Sequence, residues 1–115
     1  MSDRLETTRL FYAAFASGDR ALVETIITDD FTFSAPPDPH LDRTGYFERC
    51  WPQAGQGQTF DFLRLIPHGD EVIVTYEMRQ EDAEGHTIEG RNTEVLTFEG
   101  DRVRRAEVYF GWSES

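Results

Sequence analysis

The residues best suited to chemistry lie in Asn92-Thr93-Glu94-Val95-Leu96-Thr97-Phe98, where alternation at strand period puts the carboxylate of Glu94 on the same face as Leu96 and Phe98. A carboxylate drawn out of water must be paired, hydrogen-bonded or protonated, and each state serves acid–base chemistry. Glu94 is therefore a candidate catalytic residue: a general acid or hydrogen-bond donor kept neutral by apolar neighbours, or a base aimed at a carbon acid or an attacking water. A structural acid would instead pair with an arginine such as Arg64, or bond Asn92 or a tyrosine. Asn92 shares the face, where its amide orients a substrate oxygen or simply satisfies Glu94.

A second candidate group is Asp38 and His40, in Pro36-Pro37-Asp38-Pro39-His40. A histidine exchanges a proton near neutral pH, and Asp38 could fix its tautomer or act as a base; the alternative is a solvated, proline-stiffened loop. His68 and His86 read as turn residues. With three histidines, one cysteine and no HExxH or CxxC spacing, no metal site is expected. Gly55-Gln56-Gly57 lacks the strand-to-helix setting and following lysine of a phosphate loop, and Gly-X-Ser-X-Gly is absent. Cys50 reads as a small core residue beside Trp51. No cofactor is expected.

The elements that position these residues come in two blocks. Ser2 or Asp3 caps a first helix carrying Leu5, Thr8, Phe11, Tyr12 and Phe15 at helical spacing. Gly18 stops it, and Asp19 caps a shorter helix with Leu22, Val23, Ile26 and Ile27. Residues 31–35 alternate as a short strand, after which Pro36, Pro37 and Pro39 force an extended loop. Asp42 or Thr44 caps a third helix through Tyr46, Phe47, Cys50 and Trp51, ended by Pro52.

From Gln58 onward the period is two, with strands near 58–66, 71–81, 86–99 and 102–112 joined by tight turns that imply antiparallel neighbours. Helices first and a meander after them predict an α+β domain, a curved antiparallel sheet wrapped around three N-terminal helices. Parity gives three inward faces: Val72, Val74, Tyr76 and Met78; Asn92, Glu94, Leu96 and Phe98; Ala106, Val108, Phe110 and Trp112. Phe11, Tyr12, Phe15, Phe33, Tyr46, Trp51, Tyr76, Met78, Asn92, Phe110 and Trp112 are the candidate substrate-binding wall, or ordinary core. The outward faces carry Thr75, Glu77 and Arg79, then Arg91, Thr93 and Thr97, then Arg105, Glu107 and Tyr109, a mixed surface suited to water or to a sheet-to-sheet homodimer.

The 115 residues fit one domain, 1–115. A net charge of -11 argues against nucleic acid or an anionic membrane as partner, since both require a basic footprint. The first residues lack the apolar run of a signal peptide, and no stretch of about 18 apolar residues is present to span a bilayer. A single cysteine excludes an internal disulfide and fits a reducing cytoplasm, the expected compartment.

The run from Phe11 to Asp19, the Asp29-Asp30-Phe31-Thr32-Phe33 after it, and the closing stretch from Phe98-Glu99-Gly100-Asp101-Arg102-Val103 through Glu107-Val108-Tyr109-Phe110-Gly111-Trp112 resemble the SnoaL-like branch of the nuclear-transport-factor-2-like superfamily. This is the fold of ketosteroid isomerase, polyketide cyclases, scytalone dehydratase and limonene epoxide hydrolase. The resemblance implies a cone-shaped half-barrel, open at one end, holding a small hydrophobic ligand and commonly dimeric. Carried over from ketosteroid isomerase, the base position falls at Ala35 and the oxyanion tyrosine at Phe11, with Tyr12 adjacent, while the protonated second donor falls at Glu94. A steroid isomerase is disfavoured. The epoxide-hydrolase Asp-Arg-Asp relay is not matched by the Arg91 to Glu94 spacing either.

Two classes of function follow: a cofactor-free isomerase, cyclase, dehydratase or hydrolase acting on a small hydrophobic molecule, or a non-catalytic ligand-binding or dimeric assembly module. A hollow, partly polar interior around Glu94 belongs to the first; a filled core and a sticky outer sheet belong to the assembly module.

Overall fold

The computed structural model of the chain describes residues 3–36 and 38–114, including side chains at all of these except 38, 39 and 112–114. Helix α1 spans Arg4–Ser17, its first turn held by the Asp3 carboxylate, which accepts from the backbone N–H groups of Leu5 and Glu6. Gly18 ends it in the left-handed region at φ 74°. Asp19 then caps α2, Arg20–Ile26, by accepting from Leu22 N–H. Asp42 caps α3, Arg43–Cys50, through Gly45 N–H, and α3 runs into a 3-10 turn at Trp51–Gln53. Of the two caps expected for the first helix, Asp3 fills the role; Ser2 lies outside the described residues.

The loop after this turn docks on the end of α1. Gly55 N–H donates to Phe15 O at 2.8 Å and Gly57 N–H to Ala16 O at 3.0 Å, so the Gly-Gln-Gly segment supplies donors to the carbonyls of the last helical turn. A Cβ on Gly18 would lie 3.1 Å from the Gly55 backbone, which keeps both positions small.

Six strands form one curved, unclosed sheet: β1 (Ile27–Ala35), β2 (Asp38–Asp42), β3 (Thr59–His68), β4 (Glu71–Glu81), β5 (Thr87–Glu99) and β6 (Arg102–Glu114), in the order β2-β1-β6-β5-β4-β3. Strands β3 to β6 pair antiparallel, as their short turns require. The sheet is nevertheless mixed rather than wholly antiparallel, because β1 pairs with β6 in parallel. No turn joins those two strands, so nothing in the local chain fixes their relative direction.

The proline-rich segment also differs from the expected loop: residues 38–42 form β2, an edge strand on β1, where a proline removes no ladder bond the sheet needs. The core lies between the concave sheet face and the helices, with Val23, Ile27, Phe31, Val72, Val74 and Leu96 fully buried. On the other face Thr75 is buried too, its hydroxyl 3.0 Å from that of Thr93.

Candidate active site

The concave face is not filled. Between α1, α3 and strands β1 and β3 to β6 lies a cavity of about 240 Å³, partly open to solvent, with Glu94 and Asn92 in its wall. The ladder explains their depth: Glu94 pairs across to Val74 on β4 and to Val108 on β6, at the centre of the sheet where α1 covers it.

Glu94 is 5 % exposed. Among the described residues its carboxylate has no cationic partner; the hydroxyl of Tyr12, from α1, donates to its Oε2. Burial pushes its pKa up from 4.5 to about 7, and the Tyr12 bond, which favours the ionised form, offsets only part of that cost. The structural alternative of an Arg64 partner is not what the fold builds, since Arg64 lies on the exposed face. Tyr12 itself is wedged by the rings of Phe60, Phe62 and Tyr76, with centroids at 5.3 Å, 5.5 Å and 5.2 Å, besides its edge contact with neighbouring Phe11. Burial, reinforced by the neighbouring carboxylate, raises the pKa of Tyr12 and keeps its hydroxyl protonated.

Tyr76 is a second oriented hydroxyl. Asn92 Nδ2 donates to the Tyr76 oxygen at 3.4 Å, and Asn92 Oδ1 accepts from Gly111 backbone N–H at 3.4 Å. A backbone N–H can only donate, so it fixes which way the Asn92 amide faces, and the Tyr76 proton is left free for a guest in the cavity. Burial first, and then Glu94, raise the Tyr76 pKa, so this proton is retained. Tyr46 is likewise held neutral, chiefly by burial.

Most of the sequence-derived wall is where parity placed it. Phe11, Phe15 and Phe33 line the cavity together with Tyr46 and Met78, and Cys50 joins them. Three candidates do not. Trp51 sits in the 3-10 turn after α3, which rotates its ring onto Phe15 and Phe47 and into a surface groove beside Arg20 instead. Phe110 has the parity of Val108 but lies beyond the last β1 residues that pair with β6, so no described element covers it and it is 57 % exposed. His40 is exposed on edge strand β2 in the left-handed region at φ 62°, its backbone N–H bonded to Ser34 Oγ, and it does not reach the cavity. The side chains of Asp38 and Trp112 lie outside those described; the Asp38 backbone pairs with Ala35.

Ala35, the position aligned above with a missing base, does line the cavity and brings no titratable group. Val108 lines the cavity from the inward face that parity assigns it, whereas Phe60 and three amides, Gln53, Gln58 and Gln80, at the mouth are not among the residues expected there. Gln80 was legible by parity with Tyr76 and Met78; Gln53 and Gln58 flank an irregular loop and carried no periodic signal. Among the described residues no cluster of three or more His, Cys, Asp or Glu is placed to hold a metal ion, and no helix is long and apolar enough to cross a membrane.

An unclosed sheet curved over three helices, with a buried acid in an aromatic hollow, defines an α+β pocket protein. The model of the SnoaL-like domain matches residues 8–106, and the chain belongs to that family. Similar solved structures include a protein provisionally named a polyketide cyclase from Acidithiobacillus ferrooxidans, 23% identical, with a TM-score of 0.76 over 95% of this chain and 89% of that one. An NTF2-like protein of unknown function from Burkholderia pseudomallei is 21% identical, with a TM-score of 0.77 over 96% and 92%. An epoxide hydrolase/cyclase-like enzyme of salinomycin pyran-ring formation is 19% identical, with a TM-score of 0.78 over 94% and 90%. At these identities the likeness carries the fold alone. Comparison with curated proteins returned no match.

Proposed function

We propose that the chain is a cofactor-free acid–base enzyme that moves a proton at a carbon next to a carbonyl, in a small, largely apolar organic molecule held in the cavity. Glu94 is the base. Tyr12 holds Oε2, leaving Oε1 for the proton of the substrate carbon. As the C–H bond breaks, its electron pair moves into the carbonyl, and the oxygen that gains charge accepts the free hydrogen bond of Tyr76. Protonated Glu94 then returns the proton to the same carbon, which exchanges it, or to another carbon of the enolate, which isomerises the molecule; when the enolate carbon instead attacks an internal carbonyl, that carbonyl's π electrons move to its oxygen, the alkoxide takes the proton from Glu94, and a ring closes.

The observation that carries this reading is the state of Glu94: buried, without a cationic partner among the described residues, poised near neutral pH, and in the wall of a cavity that solvent reaches. A base works best when its pKa lies near the operating pH. The hollow also favours an enzyme or ligand binder over an assembly module with a filled core.

The test is deuterium incorporation at the α-carbon of a panel of cyclic and aromatic ketones in D₂O, followed by NMR. Wild type should exchange at least one ketone well above the buffer rate, and Glu94→Gln should return it to that rate. Equal exchange by both proteins would remove Glu94 from the chemistry.

We further infer a homodimer through the outer sheet face. Ile66, Ile73 and Val95 form an apolar row across β3, β4 and β5, with Tyr109 one row on, and Ile66 and Tyr109 are 46% and 56% exposed.

A further inference from the structure

The mouth of the cavity holds an amide relay whose direction is fixed by backbone groups. Gln58, only 6% exposed, donates from Nε2 to Gln53 backbone O at 2.9 Å and accepts at Oε1 from Gln56 backbone N–H at 3.2 Å. Neither backbone partner can exchange donor for acceptor, so the Gln58 amide has one possible orientation. Its remaining Nε2 proton goes to Gln80 Oε1 at 3.3 Å, and Gln80 must therefore present its oxygen to Gln58. The Nε2 of Gln80 has no hydrogen-bond partner among the described residues, and Gln80 lines the cavity. Two N–H donors are left for a guest.

Gln80 shares a face of β4 with Tyr76 and Met78, and lies four residues, roughly 13 Å of strand, beyond Tyr76. The cavity thus has a donor at each end, Tyr76 deep and Gln80 at the mouth, with Met78 and Phe60 as apolar floor between them.

We propose that Gln80 is a second, acceptor-reading subsite, and that the substrate is an elongated, flat, largely apolar molecule with a neutral oxygen acceptor at the end remote from the reacting carbon. The subsite rests on the proposed role of Glu94 and Tyr76 only for which end of the molecule reacts. A carboxylate is disfavoured as the remote group, because no cation lines the cavity beside Gln80 to offset its desolvation.

The test is calorimetric binding of 6-acetyl-2-naphthol and 6-isopropyl-2-naphthol, which match in shape and differ in the acceptor. The Glu94 end sets a carboxylate acceptor beside the Tyr76 hydroxyl, a stronger pairing for an acidic naphthol hydroxyl than the neutral amides at the mouth, so the naphthol hydroxyl goes there and the 6-substituent faces Gln80. Wild type should prefer the acetyl compound by roughly five- to tenfold, one hydrogen bond's worth. Gln80→Leu should bring the ratio to about one while leaving the isopropyl compound bound. Gln80→Glu keeps an oxygen for Gln58 but offers an acceptor in place of the donors, and should invert the preference. A wild-type ratio near one, a ratio unchanged in Gln80→Leu, or no binding of either naphthol would overturn the subsite. Tyr76→Phe should weaken both naphthols alike; if it weakens neither, the assignment of the deep end fails while the acetyl-to-isopropyl ratio still decides Gln80.

Discussion

The hydroxyl of Tyr12 donates to the carboxylate of Glu94 across 82 positions of sequence, joining the first helix to the fifth strand inside the cavity. One end of the bond is fixed by the surrounding rings of Phe60, Phe62 and Tyr76 and the other by the centre of a sheet, so the contact is a property of the whole fold. The energetics pull against each other: burial disfavours the charge on Glu94, and Tyr12 restores part of what burial removes.

That balance makes stability depend on pH. The folded-state pKa of Glu94, about 7, lies above its ordinary value of 4.5, so folding takes up a proton between the two. The stabilisation of the protonated form is fully present below about 4.5 and is lost as pH rises through about 7, a change on the order of 3 kcal/mol. Glu94→Gln lacks this titration. Urea unfolding at several pH values should show the variant gaining on wild type from pH 4.5 to 8, and a constant difference would refute the shifted pKa.

Tyr12→Phe removes the hydrogen bond that favours ionised Glu94. The pKa of Glu94 should rise further, and the pH profile of α-carbon exchange, which climbs as the base ionises, should move to higher pH. A profile left in place would mean that Tyr12 does not sense the charge.

Tyr76→Phe takes away the donor to the developing oxyanion without touching the base. Exchange should fall roughly a hundredfold with its pH midpoint unchanged, as expected for one lost donor in a sheltered site. A shifted midpoint with an intact maximal rate would place Tyr76 on Glu94 instead of on the substrate.

Gly111 is where the last strand makes room for this arrangement. A Cβ there would lie 2.3 Å from the Arg91 carbonyl oxygen, and the same residue's N–H bonds Asn92. Gly111→Ala must push β6 away from β5, at a cost of about 1–3 kcal/mol. Thermal unfolding should report a lower midpoint, and exchange should drop with it as Asn92 loses its hold on Tyr76. An unchanged midpoint would show that the strands part freely there.

Assembly is decided by sedimentation at micromolar concentration. Two chains per particle are expected for wild type and one for Val95→Glu, which puts a charge into the apolar row on the outer face. A monomeric wild type would end the dimer.

Periodicity made much of this fold legible before any coordinates. Across 71–81 the inward residues Val72, Val74, Tyr76 and Met78 recur at every second position, and β4 spans Glu71–Glu81. Glu94, Asn92, Tyr76 and Met78 were placed in the interior by the same rule, because side-chain parity survives wherever pairing is regular. Where parity failed, the chain lost its cover or its regularity. Phe110 points with Val108 yet runs past the end of β1, and the length of a neighbouring strand is not written in local alternation. Prolines hid β2, since an edge strand tolerates what a central one does not. The amide relay from Gln58 to Gln80 joins a loop to a strand 22 residues away, a contact that only the tertiary fold creates.

The most direct measurement is a ¹³C NMR titration of the side-chain carboxyl of Glu94 in the ligand-free protein, with Glu94→Gln identifying the resonance. A single titration centred near 7, moved upward in Tyr12→Phe, is expected. A midpoint near 4.5, the value of an ordinary solvated glutamate, would contradict it.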